Sequence, residues 1–183
     1  MNIFKALFVR LSHYAAIARG LMGCFINEVK FSSIPKFGSR VILKIEEGGQ
    51  LILLGKLTVD RYAEIVVYKG GQLTLGDSVY IGHNSTIACA GRITIGDRSM
   101  IADFVTIRDM NHNRILGLPI SDSGIQISPI IVGDDCWLGS KVTVIAGTSI
   151  GSEVTVAANA VVIGEYPSRC LLVGIPARVK KYY

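Results

Sequence analysis

Apolar residues return every six positions along most of this chain. Counting in sixes from Val132 gives Val132, Leu138, Val144, Ile150, Val156 and Val162, an unbroken aliphatic series. The next place is often small, as at Gly133, Gly139, Gly151 and Ala157, and the fifth place of each hexad holds Cys136, Val142, Thr148, Val154 and Ala160. Strand side chains alternate between faces, so the fifth and first places, two residues apart, point to the same side. Six residues therefore predict one short strand with a core face and one bend. The glycine after the aliphatic residue is expected to supply a sharp corner that other residues would adopt only under strain.

The pattern continues upstream as Leu75, Ile81 and Ile87 and, after an offset of two residues, as Ile95, Ile101 and Ile107, with Gly76, Gly82 and Gly96 at the corners. A fainter series, Ile45, Leu51, Leu57 and Ala63, fails at Lys69, and "GGQL" occurs twice, at Gly48 and at Gly70. A lone six-residue strand cannot bury its apolar face, so neighbours must stack into a continuous prism. A β-sandwich would place turns every ~8 to 12 residues without a fixed register, and the strict period disfavours it. The expected fold is all-β, a stack of hexapeptide coils over residues 41–165 followed by a C-terminal tail at 166–183.

Residues 1–40 form a separate N-terminal segment. Phe4, Leu7, Phe8, Leu11, Ala15 and Ala18 recur at helical spacing and predict an amphipathic helix. Two placements are open: against the main body or a neighbouring subunit, or on a membrane surface with help from its cations. Lys5, Arg10 and Arg19 interrupt the apolar stretch, leaving no h-region of normal length and no span of about 20 apolar residues. The expected location is cytoplasmic, with peripheral contact at the inner membrane surface as the variant of that reading.

The hexads stop between Ile107 and Val132. The intervening "RDMNHNRILGLPISDSGIQISP" is polar at its start and carries Gly117, Pro119, Gly124 and Pro129, so it is predicted to leave the prism as a loop at about 108–130. Long ordered loops inside a compact repeat are usually functional. This one holds Asp109 and His112. A neutral imidazole can take a proton at physiological pH, and a carboxylate or carbonyl on its other nitrogen fixes the tautomer. His112 is thus a candidate general base, oriented by Asp109 or by a backbone carbonyl. Asp is also an ordinary turn residue. Asn111 and Asn113 read as turn formers, with Asn111 kept as a candidate acceptor contact. His83, in a hexad, and His13, in the helix, are the competing histidines.

Composition narrows the classes. Half of the 183 residues are apolar and 18% are charged, which suits one well-buried core and excludes disorder. The net charge of +5 is spread without a stripe for nucleic acid. The short group Arg178, Lys180 and Lys181 suits a small anionic ligand better. Cys24, Cys89, Cys136 and Cys170 have no CxxC spacing and no His partners at zinc-finger intervals, so no metal site is expected. They read as buried thiols in a reducing compartment.

With this repeat, with Val105 and His112 separated by six residues, and with "WLGS" at Trp137 to Ser140, the chain resembles the hexapeptide-repeat acyltransferases, in the branch that acetylates sugars. The resemblance covers residues 70–181 closely and 41–69 weakly. It implies a left-handed parallel β-helix, assembly as a homotrimer, and acetyl-CoA laid along the prism between two subunits. It implies direct transfer to a carbohydrate hydroxyl with His112 as base, without a metal. By the same resemblance, Ser140 and Ala158 line the pantetheine path and Trp137 lies near the reacting end. At least one of Arg178, Lys180 and Lys181, in "GIPARVKKYY", would meet the CoA phosphates. Where the family often has Thr and Lys, this chain has Ile163 and Gly164. Asn84, in "GHNST", lies near where related enzymes keep an acceptor-binding Asn, although that residue aligns better with Gly82.

The long apolar N-terminal segment suggests a capsular or O-antigen type polysaccharide, or its precursor, as acceptor. A small free sugar or amino sugar is the alternative, and a non-catalytic binding or scaffold module on the same prism is the rival class. A hexapeptide-repeat carbonic anhydrase would need three His ligands for zinc, and one of the three histidines here belongs to the helix.

Overall fold

Three parallel sheets take the chain in strict rotation. The computed structural model describes residues 3–183, with side chains from residue 11 onward. The first face has seven strands from Lys30–Phe31 to Glu165–Tyr166, the third has six from Ile42–Ile45 to Val161–Val162, and the second has eight from Lys36–Phe37 to Ala177–Tyr182. Together they form a β-solenoid of about six turns, the parallel β-helix that the period of six calls for. Like residues stack: Ile93 lies between Leu73 and Ile130, Ile101 between Ile81 and Leu138, and Ile107 between Ile87 and Val144. All of these are buried, as are the fifth-place residues Cys136, Val142, Thr148, Val154 and Ala160. Thr148 is tolerated in the core because its hydroxyl reaches the carbonyls of Ile145 (2.6 Å) and Val162 (3.0 Å).

The stack is longer than residues 41–165. Lys30–Phe31 and Lys36–Phe37 already pair with the next coil, and at the other end Glu165–Tyr166 and Cys170–Gly174 continue the first and second faces. The chain then turns back as Ala177–Tyr182, antiparallel to Cys170–Gly174, and closes that edge of the second face.

The corners work differently from the expectation. Gly76, Gly82 and Gly133 do not have positive φ; the left-handed residues are two places later, at Ser78, Asn84, Arg98, Phe104, Asp135, Lys141, Glu153 and Asn159, with φ from 53° to 62°. Glycine follows the aliphatic residue because the next coil comes too close: a Cβ would stand 2.6 Å from the Ala102 carbonyl carbon at Gly82 and 2.7 Å from that of Gly151 at Gly133. The strain of most of these left-handed residues is offset by an amide hydrogen bond to the preceding coil, as from Phe104 to the His83 carbonyl (3.0 Å) and from Lys141 to that of Asp103 (3.0 Å).

Leu51, Leu57 and Ala63 of the faint early series prove to be fifth places, while Ile45, paired with Val67, lies two residues beyond the first place Leu43. Leu51 pairs with Leu73 and Leu57 with Val79, while the first places are Leu53, Val59 and Ile65, all buried. Lys69 breaks the count because the chain takes a wide corner between Val67 and Gln72, with Gly70 at φ 75°. The first "GGQL" makes the same corner one coil earlier, with Gly48 at φ 74°.

The helix α1 (Ile3–Ile26) caps the open end of the core, but through another side than expected. Gly20 and Cys24 are buried, a Cβ on Gly20 would run into the Pro35 carbonyl, and Gly23 lies on the Phe37 ring. Arg19 Nε donates to the carbonyls of Phe37 (2.9 Å) and Gly38 (3.0 Å). Leu11, Ala15 and Ala18 are exposed; the side chains of Phe4, Leu7 and Phe8 lie outside the described residues. Among the described residues no helix is long and apolar enough to cross a membrane.

Close approach between coils is testable at one atom. Gly133→Ala is expected to cost about 1–3 kcal/mol in urea unfolding, whereas Lys141→Gly, at a left-handed position, should change stability by less than ~1 kcal/mol.

Candidate functional site

The hexads break at Asp109 because its side chain turns into the wall of the prism. It is fully buried, Oδ1 accepting the Ala90 amide (2.7 Å) and Oδ2 the Gly91 amide (2.8 Å), with the Cys89 thiol 3.7 Å from Oδ2. Its carbonyl accepts the amide of Ser128 (2.9 Å), so the chain leaves and rejoins the stack at one point. Between these residues, Met110–His112 and Ile125–Ile127 form an antiparallel pair with Asn111 opposite Gln126 and His112 opposite Ile125. A 3₁₀ turn, Ile120–Asp122, lies toward the tip. Gly91 carries no side chain where one would run into Ile127. The loop expected at 108–130 is therefore an ordered arm, on the edge where the third face meets the first.

His112 is exposed on this arm and borders a cavity of about 360 Å³ with Tyr68, Arg108, Met110, Asn111 and Ile125. Its imidazole has no hydrogen-bond partner among the described residues. The Asp109–His112 pair is not formed, since both carboxyl oxygens are engaged by Ala90 and Gly91. Asp109 instead fixes the root of the arm. A His–carboxylate pair occurs elsewhere: His83 Nδ1 is 2.9 Å from Asp103 Oδ1, with its ring edge-on to Phe104.

The other candidates gather on a different side of the prism. Trp137, 53% exposed, stands on the second face in register with Thr155, then Leu171, then Lys181. Three strand spacings of ~4.8 Å put Trp137 and Lys181 roughly 14 Å apart along that column. Ser140 and Ala158 lie at the adjacent edge, between the second and third faces, in successive coils. Ala158 is exposed, and the Ser140 carbonyl accepts the Asn159 amide (3.0 Å). Asn84 occupies the same edge two coils above Ser140, exposed and left-handed at φ 53°. The three tail cations are all exposed but not equivalent. Arg178 pairs with Val173 and Lys181 with Leu171, while Lys180 is the extra residue of a bulge. Within one protomer, His112 thus stands at the edge between the third and first faces and the Trp137–Lys181 column on the second face.

Tyr68 and Arg108 at the His112 cavity escaped the sequence reading. Tyr68 opens the wide "YKGG" corner, whose break in period was the available signal, and Arg108 is the first residue of the stretch in which the hexads stop. The four cysteines are free and buried. Burial, then the Asp109 charge, pushes the Cys89 thiol up to about 12, and burial raises Cys24 to about 11. Thiols so placed are poor nucleophiles at neutral pH. Among the described residues, no group of three His, Cys, Asp or Glu side chains could hold a metal ion.

Comparison with known proteins returns the same repeat. The family model described as hexapeptide repeat of succinyl-transferase matches residues 129–163. A protein of Mycobacterium tuberculosis named as a probable acetyltransferase is 41% identical over 112 residues, covering 61% of this chain and 37% of its own length. An Escherichia coli protein named for O-acetyl transfer in lipopolysaccharide biosynthesis is 34% identical over 121 residues, covering 62% of each chain. This chain therefore spans less than two thirds of either relative. A crystal structure of a mutant N-acyltransferase from Bacillus cereus, in complex with dTDP and coenzyme A, superposes with a TM-score of 0.72 at 16% identity, over 86% of this chain and 87% of that one. That likeness concerns the fold.

The root of the arm can be tested apart from chemistry. Asp109→Ala strands two buried amides and is expected to cost about 2–4 kcal/mol in thermal or urea unfolding. Unchanged stability with a displaced pH–rate profile would instead make Asp109 the orienting partner of His112.

Proposed function

We propose that this chain is a hexapeptide-repeat acyltransferase and that it transfers an acetyl group from acetyl-CoA to a hydroxyl of a carbohydrate. The observation that carries this reading is the division of the candidate groups. A base stands on a projecting arm, and a column ending in cations runs along the second face. One protomer is incomplete, and a homotrimer would set the arm of one subunit against the column of the next. The arm supports this assembly, because Ile115, Leu116, Leu118 and Ile120 are exposed on it, Leu116 at 88%.

In this arrangement Trp137 sits by the thioester, Ser140 and Ala158 flank the pantetheine, and Arg178 and Lys181, with Lys180 beside them, meet the phosphates. The spacing of roughly 14 Å between Trp137 and Lys181 suits a long, thin donor. The acceptor hydroxyl gives its proton to His112 as its oxygen attacks the thioester carbonyl carbon. Hydrogen-bond donors hold the resulting oxyanion, the carbon–sulfur bond breaks, and the sulfur takes the proton back from the imidazolium. The free, unpartnered His112 ring suits a group that completes its contacts only with substrate. Asp109 positions it through the arm. The mechanism needs no metal ion.

Asn84 and Asn111 are the acceptor contacts of this reading, and the acceptor is a capsular or O-antigen type polysaccharide or its precursor. The name of the Escherichia coli relative and the apolar N-terminal segment support that class over a small free sugar. The protein would act in the cytoplasm, at or near the inner membrane surface.

Incubation with acetyl-CoA and a panel of such glycans tests the proposal. His112→Ala should lower kcat roughly 100-fold or more at unchanged melting temperature, because the side chain is exposed. Full activity of that variant would remove His112 as the base, and failure to turn over any glycan or free sugar would favour a non-catalytic module.

A further inference from the structure

All of the net charge lies at one end of the molecule. Residues 1–45 contain seven basic side chains, Lys5, Arg10, Arg19, Lys30, Lys36, Arg40 and Lys44, against the single acid Glu28, a net of +6, although Lys44 is paired with Glu46 just beyond them (2.8 Å). The remaining 138 residues carry twelve basic and thirteen acidic side chains, a net of −1. This segment is α1 and the first coil, the end at which the helix closes the core.

The same end turns its largest apolar side chains outward. Because α1 docks through Gly20, Gly23 and Cys24, its opposite side presents Leu11, Tyr14, Met22 and Phe25, spaced by three, eight and three residues, a single stripe at 3.6 per turn. Phe25 is 85% exposed, Tyr14 67%, Met22 65% and the neighbouring Ile26 70%. An open, mainly apolar groove of about 780 Å³ runs between Met22, Phe25 and Phe31, with Glu28 the one acidic residue in its lining. α1 contains no acidic residue, and Arg19, beside the stripe, has its Nε bonded to the carbonyls of Phe37 and Gly38.

We propose that this end of the prism docks on an anionic lipid bilayer, α1 lying in the headgroup region with Tyr14, Met22 and Phe25 buried and the cations of the first coil against the lipid phosphates. An exposed apolar face at the basic end of the molecule, on a helix too short in apolar residues to span, is what an interfacial helix requires. A second copy is the other conceivable cover. Joining two such ends would bring +6 against +6, which electrostatics disfavours. The inference stands apart from acetyl transfer. In a cyclic homotrimer three such helices would share one end, strengthening the attachment by multivalency.

Cosedimentation of the full chain with vesicles tests it. Binding to phosphatidylcholine vesicles containing phosphatidylglycerol should exceed that to phosphatidylcholine alone by about tenfold or more, and should weaken as salt is raised. Met22→Asp with Phe25→Asp should reduce that binding about tenfold with unchanged melting temperature, both side chains being exposed. Equal sedimentation with either vesicle, or a double variant that binds as well as the parent, would overturn the proposal. So would a double variant whose only change is a smaller particle in solution, which would show that a second copy covers the stripe.

Discussion

Everything in this protein follows from the distance between one coil and the next. Backbone hydrogen bonding fixes it at ~4.8 Å, and at several corners that leaves no room for a Cβ after the aliphatic residue, as Gly82 and Gly133 show, while Ala102 and Ala157 mark corners that admit one. The hexad is the sequence form of this constraint. An aliphatic residue fills the prism, a small one lets the coils touch, and a left-handed residue two places later turns the chain. Most turns are tied to their predecessors by an amide hydrogen bond, so the walls are held along the stack.

A rigid wall makes a departure from it meaningful. The arm leaves where a buried carboxyl, Asp109, takes two amides of the preceding coil, and it rejoins at Ser128 through that residue's own backbone. The base of the arm is thereby as well ordered as the stack. His112, three residues out and one strand pair along, inherits that order while its ring stays free. On the other side, the register of the second face carries Trp137 to Lys181 in a straight column.

Much of this was legible in the sequence, because a strict period leaves few alternatives. The series from Val132 to Val162 names the buried residues of the later coils, and the gap after Ile107 locates the arm. Four features were not. The wide corners at Gly48 and Gly70 shifted the early count, so Leu51 and Leu57 read as first places when they are fifth. The part played by glycine was misread, since close approach and positive φ both favour it and only coordinates separate them. Asp109 was read as a partner for His112, because sequence nearness says nothing of which way a side chain turns. The helix misled for a related reason: its docked side is made of Gly20, Gly23 and Cys24, which a search for large apolar residues passes over.

The central claim is that a working site is shared between the arm of one subunit and the column of another. Mixing two inactive variants examines it directly, one lacking the base, His112→Ala, and one with the groove blocked, Ser140→Trp. After the two are unfolded and refolded together, mixed assemblies should acetylate the glycan at a rate that neither variant reaches alone, since some junctions would hold both an intact arm and an open groove. A mixture no more active than its separate components would contradict the account.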